Sequence, residues 1–184
     1  MLMKPEPLFR AVESIPERGK VIYLNPAGAV LKQSMVRDLA GEKTLTLVCG
    51  HYEGIDHRVV EQLVDEEISV GDYVLTCGEI AAAILIDTIT RELEGALGND
   101  DSRVEESYDA TGLLEYEQYT RPAVFRELSV PEILLSGNHE RIRKWRMKRR
   151  IVNTLERRPD LLNPSSLTVE YRKILREVLE EIDP

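Results

Sequence analysis

Short apolar runs alternate with amphipathic stretches through the first half of the chain. Lys20-Val21-Ile22-Tyr23-Leu24 is largely apolar at consecutive positions and is bounded by Gly19 and by Asn25-Pro26, which predicts a buried strand. Leu45 to Cys49, closed by Gly50, predicts a second strand, and Ile68 followed by Tyr73 to Leu75 predicts a third. Between these runs the apolar positions recur every three or four residues. Leu8, Val12 and Ile15 predict a helix within 4–19, and further helices are predicted over Lys32–Ala40, Ile55–Leu63 and Ile80–Leu93. Uniformly apolar strands fit a sheet covered on both faces. Their alternation with helices predicts an α/β fold, a parallel sheet flanked by helices, over residues 1–91.

The pattern changes after Arg91. Residues 92–116 are acidic, carry Gly95, Gly98 and Gly112, and show little periodicity, which predicts an interdomain linker or mobile loop. Residues 117–184 then read as a small helical domain. Thr120-Arg121-Pro122 and Val130-Pro131 predict stiff turns. Ser136-Gly137-Asn138 introduces a helix from His139 to Arg157 that Pro159 ends, with Ile142, Trp145, Val152 and Leu155 inward. Thr168 is expected to cap a last helix with Tyr171, Ile174, Leu175, Val178 and Ile182 inward.

Composition narrows the class. At 184 residues, 42% hydrophobic and 31% charged, the chain is one domain or two small ones with a real core. No apolar run approaches membrane-spanning length, and Met1-Leu2-Met3-Lys4-Pro5 is not a signal peptide. Cys49 and Cys77 lack metal-type spacing and read as free thiols in a reducing cytoplasm. The net charge of −9 argues superficially against a nucleic-acid partner, but the charge is unevenly distributed. From His139 to Arg158 there are nine Arg or Lys against Glu140 and Glu156, a local +7, so the remainder carries −16. Arg143, Lys144, Arg146, Lys148, Arg149 and Arg150 therefore read as a phosphate-contacting surface.

Three turns fall at the C-terminal ends of the predicted strands: Asn25-Pro26-Ala27-Gly28, Gly50-His51-Tyr52-Glu53-Gly54, and the stretch from Val70 to Glu79. Open parallel sheets bind ligands at that edge. Neither G-x-G-x-x-G nor G-x-x-x-x-G-K-[ST] is present, so no dinucleotide or P-loop motif supports a phosphate ligand. Glu53 and Asp72 in these turns disfavour phosphate. A ligand with amines and hydroxyls, read by backbone groups, fits them better.

Gly50-His51-Tyr52-Glu53-Gly54-Ile55-Asp56, Ser69-Val70-Gly71-Asp72-Tyr73-Val74-Leu75, Tyr119-Thr120-Arg121-Pro122 and Leu134-Leu135-Ser136-Gly137-Asn138-His139 resemble, in order, the motifs of the bacterial tRNA (guanine-N1)-methyltransferases. These are knotted, SPOUT-type α/β methyltransferases, and the resemblance covers nearly the whole chain. It implies a deep trefoil knot at the C-terminal sheet edge, S-adenosyl-L-methionine as methyl donor, and a homodimer with shared active sites. It also implies a tRNA substrate with guanosine immediately 3′ of the anticodon. Carried over residue by residue, Tyr23, Leu24 and Pro26 match the first cofactor turn. Gly50, Tyr52 and Glu53 match the second. Ser69, Val70, Gly71, Asp72, Tyr73, Val74, Leu75 and Gly78 match the third. The family is compatible with Mg²⁺, although no ligand cluster in the sequence shows it and no metal ligand is assigned.

Guanine N1 becomes nucleophilic only after losing its proton to a base, and the charge that then grows on O6 calls for a cation. Arg91 occupies the family's arginine position. Glu106, in Glu106-Ser107-Tyr108, stands where the family usually has the catalytic Asp; Glu105 and Asp101 are alternatives in the same loop. His51 replaces a common Arg, Cys77 a common Gly and Ala81 a common Pro, all at the rim of the cofactor pocket. Family chains also open with a strand, a helix and a Gly-rich loop ahead of a Met-Leu-Met-like sequence, where this chain begins. It is therefore expected to be part of a longer protein or a shortened member. The rival reading is a shortened, catalytically weak protein that holds the cofactor or tRNA.

Overall fold

A computed structural model describes residues 1–96 and 106–182. It divides into two compact units, Met1–Asn99 and Asp100–Pro184. Asp101 and Glu105 lie outside the described residues.

The first unit is built on three strands, β1 (Lys20–Val30), β2 (Leu45–Cys49) and β3 (Glu66–Ser69). They are parallel and lie in the order β2-β1-β3. Helices α1 (Pro5–Glu13), α2 (Gln33–Ala40), α3 (His57–Leu63) and α4 (Gly78–Glu92) flank the sheet. Alternation along β1 explains the layers, because successive side chains leave a strand on opposite faces. Val21 and Tyr23 pack with Val12, Val59 and Leu63 of α1 and α3. Ile22 and Leu24 pack with Leu39, Ala81 and Leu85 of α2 and α4. Each fully buried aliphatic side chain contributes roughly 1.5–3 kcal/mol, so two such faces suffice to order a three-stranded sheet.

Two boundaries differ from the sequence expectation. Tyr73–Leu75 is not strand. The ladder ends at Ser69, whose hydroxyl donates to the Gly71 carbonyl at 3.1 Å and accepts from the Gly71 amide at 3.2 Å. Tyr73 then folds back, its hydroxyl donating to the Val70 carbonyl at 3.0 Å. The first helix stops at Glu13, where the Ser14 hydroxyl donates to the Ala11 carbonyl, and Ile15 is left exposed.

The second unit holds a short hairpin, β4 (Val124–Phe125) and β5 (Leu128–Ser129), then α5 (Glu132–Leu135), α6 (His139–Arg157), a 3-10 turn (Pro159–Leu161) and α7 (Val169–Ile182). Asn138 caps α6 by accepting from the Arg141 amide at 3.1 Å, and Thr168 caps α7 by accepting from the Tyr171 amide at 3.3 Å. The core is Leu113, Met147, Ile151, Leu167, Ile174, Leu175 and Val178. Two expectations change here. The buried residues of α6 are Met147, Arg150, Ile151, Asn153 and Thr154; of the expected inward set, Val152 and Leu155 pack partly buried against this core, whereas Ile142 and Trp145 are partly buried outside it. Periodicity passed over the buried set because it contains an arginine. The linker reading of 92–116 does not hold for its last part: Leu113 is fully buried against α6, and residues 106–115 are tied to that helix.

Candidate functional site

A cleft of about 270 Å³ opens at the C-terminal ends of β1, β2 and β3. Three segments wall it: Tyr23 to Pro26, Gly50 with Tyr52 to Gly54, and Ile68 to Gly71 with Tyr73 to Gly78; Ala81 of α4 adds to the lining. Every residue assigned to the cofactor by resemblance lines this one cleft except Asp72. Sequence reasoning left Asn25, Gly54, Ile68 and Thr76 unassigned. The first two sit inside turn motifs that had been recognised, so their place in the turn was the available signal.

The first wall is an interruption of β1. Leu24 and Ala29 both pair with Ile68, so Asn25 to Gly28 loop out of the ladder. The Asn25 side chain stabilises the excursion by accepting from the Ala27 amide at 2.7 Å, and its amide donates to Glu67. Gly28 lets the loop return, since a Cβ there would sit 2.4 Å from the Glu67 carbonyl carbon. In the second wall Tyr52 adopts φ +59°, a strained region for a residue with a side chain, and it stands well exposed at the mouth. The buried Tyr23 hydroxyl, whose burial raises its pKa, lies close to Gly50 and Gly54.

Gly78 joins the third wall to the second. Its amide donates to the Gly50 carbonyl at 3.1 Å, and a Cβ there would meet the Cys49 Cα and the Gly50 nitrogen, each at 2.8 Å. His51 and Glu79 bridge the same two segments at 2.6 Å, and the His51 hydrogen bond lowers the Glu79 pKa. Gly78→Ala should therefore push α4 away from β2. The expected result is a stability loss of about 1–3 kcal/mol and a clear fall in ligand affinity, read by thermal melting and calorimetry. An unchanged affinity would mean that the crossing does not shape the cleft.

Among the described residues the lining contains one carboxylate, Glu53, and no Lys, Arg or His. Apolar Leu24, Ile68, Leu75 and Ala81 surround backbone groups of the turns. Such a site suits a ligand with apolar and cationic parts. Arg91 is not among the lining residues. It lies in the last turn of α4, thirteen residues beyond Gly78, or about 20 Å along the helix axis at 1.5 Å per residue.

Glu106 belongs to the second unit, where it begins the segment docked on α6. Several cations of that helix are ion-paired within the unit. Arg143 pairs with Glu170 at 2.5 Å and with Glu140, Lys148 pairs with Glu181 at 2.7 Å, and Arg149 pairs with Glu117, whose pKa it depresses. Arg150 is 2% exposed and pairs with Asp109 at 2.8 Å. Arg150 thus leaves the expected phosphate surface as a core residue, whereas Arg143, Lys144 and Lys148 keep 42%, 62% and 43% of their side chains exposed. A second cavity, of about 840 Å³, lies in this unit between Tyr116 to Ala123, α5 and α6, with the Arg146 guanidinium 4.7 Å above the Tyr116 ring.

Among the described residues no group of three or more His, Cys, Asp or Glu is placed to hold a metal ion, and no helix is long and apolar enough to cross a membrane.

Comparison with known proteins identifies relatives over the whole chain. The family model described as tRNA (Guanine-1)-methyltransferase TrmD matches residues 1–164. A tRNA (guanine-N(1)-)-methyltransferase of Dehalococcoides mccartyi is 50% identical over 188 residues, covering 100% of this chain and 75% of its own. Proteins of the same name from Pelotomaculum thermopropionicum and Brevibacillus brevis are 50% and 51% identical, covering 100% and 98% of this chain and 74% and 75% of their own.

Proposed function

Because the chain belongs to the tRNA (guanine-1)-methyltransferase family, we propose that it transfers a methyl group from S-adenosyl-L-methionine to N1 of a guanosine in tRNA, the one immediately 3′ of the anticodon. The observation that carries this reading is the convergence of the three strand-end turns on one cleft. The lining fits the donor: backbone groups for an adenine and a ribose, apolar walls for the carbon skeleton, and the Glu53 carboxylate for a cationic part. Bound there, S-adenosyl-L-methionine would supply an electrophilic methyl group.

The chain's own residues supply the rest. Glu106 takes the N1 proton, which makes the ring nitrogen nucleophilic. Arg91 faces the charge that grows on O6. The tight crossing of Gly78 over Cys49 and Gly50 is read as the core of a trefoil knot, which keeps the cleft walls together without a disulfide. On its family membership, the chain is assigned to a cytoplasmic homodimer whose two copies share each active site.

Incubation with labelled S-adenosyl-L-methionine and a tRNA transcript is the test. Label should enter a transcript with guanosine 3′ of the anticodon and should be absent when that base is adenosine. Donor binding without transfer to the guanosine transcript would refute the assignment and leave a binding protein.

A further inference from the structure

Three of the buried polar side chains, Arg150, Asn153 and Thr154, lie within five consecutive positions of α6, and all three are bonded to one segment, residues 106–115. Arg150 contributes most. Its Nη2 stands 2.8 Å from an Asp109 carboxylate oxygen and 3.4 Å from the Glu106 carbonyl, and its Nε donates to the Leu114 carbonyl at 3.2 Å. Its Nη1 donates to the Tyr171 hydroxyl at 3.0 Å, which anchors the guanidinium to α7. Thr154 accepts from the Leu114 amide at 2.9 Å, and Asn153 donates to the Glu115 carbonyl at 3.0 Å.

The segment is folded on itself as well. The Tyr108 amide donates to the Leu113 carbonyl at 2.9 Å, and the Glu115 amide donates to the Ser107 hydroxyl at 2.9 Å. Asp109 accepts from the Thr111 amide at 2.9 Å with the carboxylate oxygen that Arg150 leaves open. Leu113 plugs the segment into the core.

A buried ion pair is a poor device for stability alone, because apolar residues of similar volume often serve as well. What the guanidinium adds is direction. Its planar fork holds several acceptors in one fixed arrangement, which an apolar side chain or a lysine does not. The acceptors held here belong to the stretch that begins at Glu106.

We propose that Arg150 is a positioning residue for methyl transfer: through Asp109 and the carbonyls of Glu106 and Leu114 it fixes the backbone from which the Glu106 carboxylate reaches N1. This rests on Glu106 being the base. It gives the most buried arginine of the basic helix a catalytic purpose without any contact to phosphate. A base displaced by about an ångström slows its reaction on the order of 10²-fold although nothing that binds the donor has changed.

The test is a double-mutant cycle in the full chain, using single-turnover methyl transfer at saturating S-adenosyl-L-methionine and tRNA. Rates are normalised to donor-binding sites, so that loss of folded protein does not count. Arg150→Lys should lower the rate about 10²-fold with donor affinity unchanged. In the Glu106→Gln background the same substitution should have almost no further effect, because the group it positions is gone. Tyr171→Phe removes one anchor while the ion pair stays, and serves if Arg150→Lys does not fold; a several-fold loss that likewise vanishes in Glu106→Gln is expected. A native rate for Arg150→Lys, or a loss that multiplies with that of Glu106→Gln, overturns the proposal. A native rate for Glu106→Gln alone shows instead that the base was misassigned, and the proposal falls with it.

Discussion

Arg91→Ala should lower methyl transfer about 10²- to 10³-fold, the usual effect of removing one group that stabilises a developing oxyanion. Binding of S-adenosyl-L-methionine should stay near its native strength. The separation follows from position. The donor cleft is lined by turns at the strand ends, and Arg91 is not among its residues. It stands in the last turn of α4, where the helix dipole favours a cation. Removing it takes away an interaction that matters only as charge builds on the acceptor base, so kcat should fall and donor affinity should not. Calorimetric titration of the variant with donor, beside single-turnover assays, reads both quantities. A tenfold loss of donor affinity would return Arg91 to the binding machinery and end its assignment to O6.

A mixing experiment adds to this. Arg91→Ala chains combined with Glu106→Gln chains should recover activity in mixed dimers if one site draws these two residues from different copies. Recovery to no more than the level of either variant alone would place both on the same copy.

The sequence made the fold's skeleton legible where local chemistry marks the boundaries. Residues 45–49 are strand and 139–157 are helix, as expected, because Gly50 ends the one while Asn138 and Pro159 bracket the other. The expected third strand was displaced to 66–69 because Glu66 and Glu67 look unlike strand residues; Glu66 pairs with Lys20 at 2.6 Å and Glu67 takes the Asn25 side chain. The hairpin of β4 and β5 was missed for a similar reason. Its turn residues, Arg126 and Glu127, adopt φ +48° and +65°, a conformation usually signalled by Gly or Asn. Within the cleft the turn motifs were readable, but the looping out of Asn25 to Gly28 was not, since it depends on pairing with a strand forty residues away.

Charge was the least legible property. A run of arginines and lysines in sequence looks like a cationic surface, yet its partners Glu117, Glu170 and Glu181 lie more than twenty residues away along the chain. Asp109, which neutralises Arg150, came from a segment expected to be linker. Local net charge overstates electrostatic surface wherever tertiary pairing intervenes.

Glu106→Gln should cost about 10²- to 10⁴-fold in methyl transfer, the range for a positioned general base. Glutamine keeps the size and the acceptor oxygen but cannot take a proton at the pH of the assay. The N1 proton must then leave to solvent, so the residual rate should climb with pH. Glu106→Asp tests the same group by length. Loss of one methylene keeps the charge but draws the carboxylate back by about an ångström or more from the same backbone, so this variant should lose on the order of 10²-fold. A near-native rate in Glu106→Gln would move proton removal to another group. Asp109 would be a poor candidate, because Arg150 and the Thr111 amide and hydroxyl already engage its carboxylate and its side chain is nearly buried. Loss of activity in both Glu106→Gln and Glu106→Asp, with donor binding intact, would show that reach matters as much as charge. That outcome would point back to the clasp on α6 that sets where the loop begins.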